Sequence, residues 1–236
     1  YSDVFGSWSD MARCKYLYEQ RLVPNSCTTE DIAQLKHSRN AVATHHHQSQ
    51  LVKVLLVGME KAGKTTWCRY VTSPEEENQR MLNEYEPTMR ANFVRSSASF
   101  SIDNAQNVYT FGFWDTAGRE RFDSVSFSAV HIGTYMRNSS IVLLMIPLDG
   151  SAQYSIQWIE HILRHPCFTP EMKCLVIGTK SDLKRDNRLS YDLLSHCTRC
   201  KIPYYECDLT DPDQAFRVLY AMIHYGLRDY NQPTTR

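Results

Sequence analysis

One run of eight residues constrains this chain more than any other: Gly58-Met59-Glu60-Lys61-Ala62-Gly63-Lys64-Thr65. It matches the spacing GxxxxGK[ST] without a mismatch. Its flanks fit as well. Leu51–Val57 (LVKVLLV) is β-rich and Lys64–Val71 reads as a helix, so the run is expected to join a buried strand to a helix. The two glycines let the backbone curl until its N–H groups point inward around phosphate oxygens. The following helix aims its positive end at the same anion. Lys64 supplies a point charge to the outer phosphates, and Thr65 Oγ is a hard oxygen for Mg²⁺. The nucleotide-binding residues expected here are Gly58, Glu60, Lys61, Ala62, Gly63, Lys64 and Thr65 of the run and Thr66 just after it. Ordinary residue frequencies give such a match by chance on the order of 1% of the time in a chain of this length, so the run is read as a site.

From Leu51 onward, strand-like and helix-like stretches alternate. Ala91–Ile102 and Val108–Trp114 read as strands flanking a turn at Asp103–Asn107. Ile141–Ile146 (IVLLMI) and Lys173–Gly178 (KCLVIG) have the unbroken apolarity of fully buried strands. Ile202–Cys207 is a last strand. Helices are expected over Gln153–Arg164, with Ile156, Ile159, Ile162 and Leu163 on one face, over Leu189–Cys197, and over Pro212–Tyr225 with proline near its first turn. The pattern predicts an α/β fold: a mostly parallel, six-stranded sheet with helices on both faces.

Three further segments fall in order on this framework: Tyr85-Glu86-Pro87-Thr88, then Trp114-Asp115-Thr116-Ala117-Gly118-Arg119-Glu120-Arg121-Phe122, then Thr179-Lys180-Ser181-Asp182. With them the chain resembles the Ras-superfamily small GTPases of the P-loop NTPase class, and the WDTAGxERF run looks most like the Rab branch. The resemblance covers about residues 51–226. TKSD ends a parallel strand at its C-terminal edge, where such sheets bind ligands. Asp182 is a bidentate acceptor suited to the guanine N1–H and exocyclic amine; adenine offers an acceptor at that ring position and no amine beside it. The stem of Lys180 can lie over the base. By resemblance, Asp115 holds Mg²⁺ together with Thr65, Thr88 closes on the ion when a γ-phosphate is present, and the Gly118 N–H meets that phosphate. GTP or GDP with Mg²⁺ is the cofactor set this implies.

The departures from the family bear on catalysis. Arg119 falls where the family has its water-positioning glutamine, and arginine has no acceptor for the water's proton. Glu60 falls where most relatives have glycine, and a carboxylate there repels the γ-phosphate region. Very slow hydrolysis is the expectation. Thr179 replaces the usual asparagine, Met81 an aromatic, and Arg90 a common glycine. Glu206-Cys207-Asp208-Leu209-Thr210 stands where relatives carry E-x-S-A-K, and the Leu209 N–H is expected to reach the guanine oxygen.

The rest of the chain is less explicit. Residues 1–50 read as an extension and linker: a possible helix at Asp10–Leu22, a helix start at Thr28-Thr29-Glu30-Asp31, and a polar stretch with His45-His46-His47. Residues 51–226 form the nucleotide-binding domain and 227–236 a polar tail with no prenylation cysteine, so no direct lipid anchor is expected. Twenty-six basic residues cancel 26 acidic ones, which argues against general nucleic-acid binding. Eight cysteines with a single CxxC, Cys197-Thr-Arg-Cys200, read as free thiols. They point to an intracellular protein, cytoplasmic by resemblance, with an organelle such as the mitochondrion or cilium left open. Protein partners are expected at the switch segments Tyr85–Phe93 and Arg119–Tyr135, where Phe127, Val130 and Ile132 add apolar surface, and at the extension. Four functions compete: a slow or arrested GTP-binding subunit, a cycling switch, a nucleotide-free scaffold, and a small-molecule kinase. The base-reading Asp182 speaks against the last.

Overall fold

The computed structural model describes residues 27–39, 50–73, 92–102, 105–116, 132–150, 155–183 and 187–227. The expectations for Asp10–Leu22, His45–His47, Met81, Thr88, Arg90, Gly118, Arg119, Phe127, Val130 and the tail lie outside these residues. The elements in chain order are α1 (Thr29–Arg39), β1 (Gln50–Gly58), α2 (Lys64–Thr72), β2 (Asn92–Ile102), β3 (Ala105–Asp115), β4 (Ile141–Pro147), α3 (Ser155–Leu163), β5 (Lys173–Thr179), α4 (Asn187–Arg199), β6 (Tyr204–Glu206) and α5 (Pro212–Gly226). The strands form one six-stranded sheet in the order β2-β3-β1-β4-β5-β6. Five run parallel, and β2 pairs antiparallel with β3. The β2–β3 connection is tighter than Asp103–Asn107: Ile102 pairs directly with Ala105, because the ladder continues through Gln106 and Asn107.

Period-two alternation divides the core. Val54 and Leu56 of β1, Leu143 and Met145 of β4 and Ile177 of β5 face one cluster with Trp67 of α2 and Phe216 of α5. Their neighbours Leu55, Val57, Leu144 and Val176 face a second cluster with Trp158 and Ile159 of α3 and Leu193 of α4. Helices therefore cover both faces. In α3 the buried stripe is Ser155, Trp158, Ile159 and Ile162. Ile156 and Leu163 sit only partly buried at its edge, since an i, i+3, i+4, i+7 stripe leaves no room for them. Ile132, expected to add apolar surface to the second switch segment, is instead buried in the core.

The segment ahead of the sheet contributes to the same core. Thr28 caps α1 reciprocally: its N–H and Oγ1 each donate to Asp31 Oδ2 at 2.7 Å, and the Asp31 N–H donates to Thr28 Oγ1 at 3.1 Å. Cys27, Ile32 and Leu35 are buried among residues of α2 and α5. Burying the isoleucine and leucine contributes about 1.5–3 kcal/mol each. Lys36 pairs with Asp213 at 2.7 Å and lies 5.6 Å from the centre of the Phe216 ring.

Candidate nucleotide site

β1 sits at the point where the sheet order reverses, with β3 on one side and β4 on the other. Ligands of open α/β sheets bind beyond the C-terminal strand ends at such a point. The loop leaving β1 is shaped by three positive φ values: Gly58 at 153°, Lys61 at 61° and Gly63 at 86°. A Cβ on Gly58 would lie 2.1 Å from Met145 O, the carbonyl of its partner residue in β4. Gly63 opens α2, and no side chain caps that helix start. The Lys64 ammonium lies inside the loop, donating to Gly58 O at 2.6 Å and Met59 O at 2.9 Å. Lys64 is buried, so its cation is held where the curled backbone can share it with an anion.

β3 delivers the acid. Its last residue, Asp115, pairs with Leu56 of β1, and the Thr116 hydroxyl donates to Leu56 O at 2.7 Å, fixing the strand end. Thr65 Oγ1 donates to Asp115 Oδ2 at 2.6 Å. Asp115 Oδ1 is buried and accepts no hydrogen bond among the described residues. Burial pushes the Asp115 carboxyl above its ordinary value, against the pull of the Thr65 hydroxyl and the Lys64 and Arg69 cations. A carboxylate and a hydroxyl meeting beside the loop, with one carboxylate oxygen unpartnered, fit a hard divalent cation such as Mg²⁺.

The base side is built from side chains. Thr179 is fully buried, and its hydroxyl donates to Ala62 O at 2.9 Å. That contact ties the end of β5 to the phosphate loop, a link that only tertiary structure reveals. Lys180 has a φ of 58° and pairs through Nζ with Asp149 Oδ2 at 2.6 Å. Asp149 belongs to no motif in the sequence. Asp182 is exposed at the mouth of the site. Across from it, the Cys207 N–H donates to Gly178 O at 2.8 Å, and Asp208 Oδ1 accepts from the Thr210 N–H and hydroxyl at 2.7 Å. Leu209 packs over the loop: a Cβ on Gly63 would meet its Cδ1 at 2.7 Å. Glu206 points the other way, buried and accepting from Ser190 and Tyr204. The structure thus gathers Gly58, Gly63, Lys64, Thr65, Asp115, Thr179, Lys180, Asp182 and Leu209 along one edge of the sheet. Glu60, Lys61, Ala62 and Thr66 belong to the same loop and first helical turn.

Cys207 contributes only main-chain groups to this site. The cysteines among the described residues are free thiols, and burial pushes Cys174 and Cys207 up to about 12. Among the described residues no group of three His, Cys, Asp or Glu side chains could hold a metal ion, and no helix is long and apolar enough to cross a membrane.

Comparison with known proteins gives the family. The model of the family described as "Ras of Complex, Roc, domain of DAPkinase" matches residues 53–182. The Ypt/Rab-type GTPase Rab7 of Gibberella zeae is 26% identical over 180 residues, covering 72% of this chain and 80% of the relative. The Ypt/Rab-type GTPase ypt7 of Schizosaccharomyces pombe is 26% identical over 167 residues, covering 67% of this chain and 74% of its own. The Ras-related protein Rab7 of Pisum sativum is 26% identical over 165 residues, covering 66% and 72%. With the phosphate loop, the acid at the end of β3 and the TKSD turn on one sheet edge, the chain belongs to the Ras-of-Complex (Roc) family and is a Rab-like small GTPase of the Ras superfamily.

Proposed function

We propose that this protein binds GTP or GDP with Mg²⁺, hydrolyses GTP very slowly, and works inside the cell as a regulatory or structural subunit through protein contacts. The observation that carries the nucleotide reading is the junction of Thr65 and Asp115, 2.6 Å apart beside a loop already curled around the Lys64 ammonium. Thr65 and Asp115 are the described residues that would hold the ion, with Thr88 joining them by resemblance. The bound ion supplies charge neutralisation of the phosphates. The loop supplies inward N–H groups, Lys64 a cation, and Asp182 the acceptor pair for the purine.

Slow turnover is argued from side-chain chemistry. Arg119 offers only donors, so it cannot hold an attacking water by its proton. Glu60 places a carboxylate in the loop that receives the phosphates. The partner surfaces proposed are Tyr85–Phe93, Arg119–Tyr135 apart from the buried Ile132, and the extension ahead of β1. A second reading, a cycling switch in membrane trafficking, is favoured by the Rab7-type relatives and by the intact Lys64, Thr65, Thr88, Asp115 and Asp182.

Two measurements decide. Equilibrium titration of the purified chain with GTP, GDP and ATP is expected to show guanine nucleotides bound and ATP rejected; equal uptake of ATP refutes the site reading. Single-turnover hydrolysis is expected to be slower than for an ordinary Rab, with R119Q accelerating it. Ordinary Rab rates in the unaltered chain favour the cycling switch.

A further inference from the structure

We infer that Asp149 is a positioning residue for the purine: it anchors the Lys180 side chain at the base site before the nucleotide arrives. The inference rests on the guanine-site reading above and adds a residue to it. Asp149 lies just beyond β4, and Lys180 just beyond β5. These strands stay in register to their last pair, Pro147 with Thr179, and the Leu148 N–H donates to Thr179 O at 2.8 Å. That clamp sets the distance between the two chain segments. Asp149 Oδ2 then receives Lys180 Nζ at 2.6 Å.

Two features mark the pair as more than a surface contact. Both side chains are mostly covered, at 27% and 20% exposure, so solvent screens them less than an open pair. Lys180 also holds φ at 58°, in the left-handed region that non-glycine residues occupy uncommonly. The same backbone leads two residues later to Asp182. A lysine side chain has four rotatable bonds and loses much freedom when it settles on a base. Anchoring it beforehand removes that loss from the binding step. Asp149 touches the lysine rather than the nucleotide, so its effect has to pass through Lys180.

The test is the release rate of a fluorescent GDP analogue from the full chain, chased with excess GDP. D149A is expected to release it about three- to ten-fold faster, the scale of a partly covered ion pair. K180A is expected to be faster too, and the D149A/K180A double variant no faster than K180A alone. D149E restores the slow rate. Raising the salt concentration speeds release from the unaltered chain by a larger factor than from D149A, where only the contacts to phosphate remain to be screened. Release from D149A at the unaltered rate overturns the inference. So do effects that multiply in the double variant, because Asp149 would then act independently of Lys180. If the unaltered chain takes up no GDP analogue, the guanine reading itself fails and carries this inference with it; normal loading with a silent D149A sinks only the role of Asp149.

Discussion

The two halves of the candidate nucleotide site are made differently. The phosphate half, Gly58 to Thr65 with Asp115, is a backbone construction: positive φ angles, a carbonyl 2.1 Å from where a Cβ would stand, and a buried cation held by main-chain oxygens. The base half is a side-chain construction: a threonine hydroxyl, a lysine–aspartate pair and an exposed carboxylate. Backbone constructions admit few residue types, because a carbonyl or a φ value cannot be substituted. Side-chain constructions admit replacements that preserve a contact. The Thr179 hydroxyl reaches the phosphate loop across the sheet, whereas any side chain at Gly58 would meet the Met145 carbonyl.

The comparison can be broken most severely at Gly58. In G58A the new methyl group collides with the main chain of β4, so the whole fold weakens, by about 3 kcal/mol or more. Urea titration checks this; stability equal to the unaltered chain shows that the loop is looser than its geometry implies. The largest effect on the base half is expected from D182A. Loss of a charge-assisted acceptor removes about 1.5–3 kcal/mol, roughly ten- to a hundred-fold, from the preference for GTP over ATP. Because Asp182 is exposed, thermal stability is expected to stay put, and an equal loss for both nucleotides contradicts the assignment.

Asp115 sharpens the contrast through pH. Its carboxyl is raised chiefly by burial. An acid raised in the native state contributes stability that is complete below its ordinary value of 3.8 and is lost as pH climbs through the native value. Burial therefore disfavours the charged carboxylate in the unliganded protein, a penalty that a bound cation offsets. D115N is expected to raise the melting temperature of the unliganded protein at pH 7 by about 2–4 °C, an advantage that shrinks on acidification. It is also expected to remove the Mg²⁺ dependence of nucleotide binding. Calorimetry at several pH values with and without Mg²⁺ checks both. The smallest effect falls on the link between the halves. T179V deletes the hydroxyl that meets Ala62 O, and a loss of about 1 kcal/mol is expected, shared equally by GTP and GDP. A change confined to one nucleotide would show that Thr179 reports on the γ-phosphate rather than on the loop as a whole.

Much of the fold was legible residue by residue. The buried strands announced themselves by unbroken apolar runs, and α1 by Thr28 and Asp31, because strand burial and helix capping are decided within a few neighbours. Of the four residues expected on the buried face of α3, Ile159 and Ile162 are there; Ser155 and Trp158 complete the stripe in place of Ile156 and Leu163, because the sheet sets which side of the helix it covers. Ile132 was read as available to a partner, yet it lies in the core, since exposure depends on what packs above a residue. Lys53 is a further case. Its ammonium donates to Tyr135 O and Arg137 O, closing the helical turn at residues 132–136 from a strand some 80 residues away. Burial lowers that lysine from its ordinary value. No local pattern signals such a contact.

The amino-acid sequence by itself determined the phosphate cradle, the alternation of strands and helices, and the carboxylate suited to guanine. Glycine geometry, side-chain period and acceptor chemistry act over a handful of adjacent residues. Only the tertiary structure decided that Thr179 would grip Ala62, that Asp149 would hold Lys180, and that α1 would join the core beside α5. Those contacts connect residues 31 to 117 positions apart in the first two cases, and α1 meets α5 from the opposite end of the described chain. Their formation depends on strand order and register, which bring distant segments to one sheet edge.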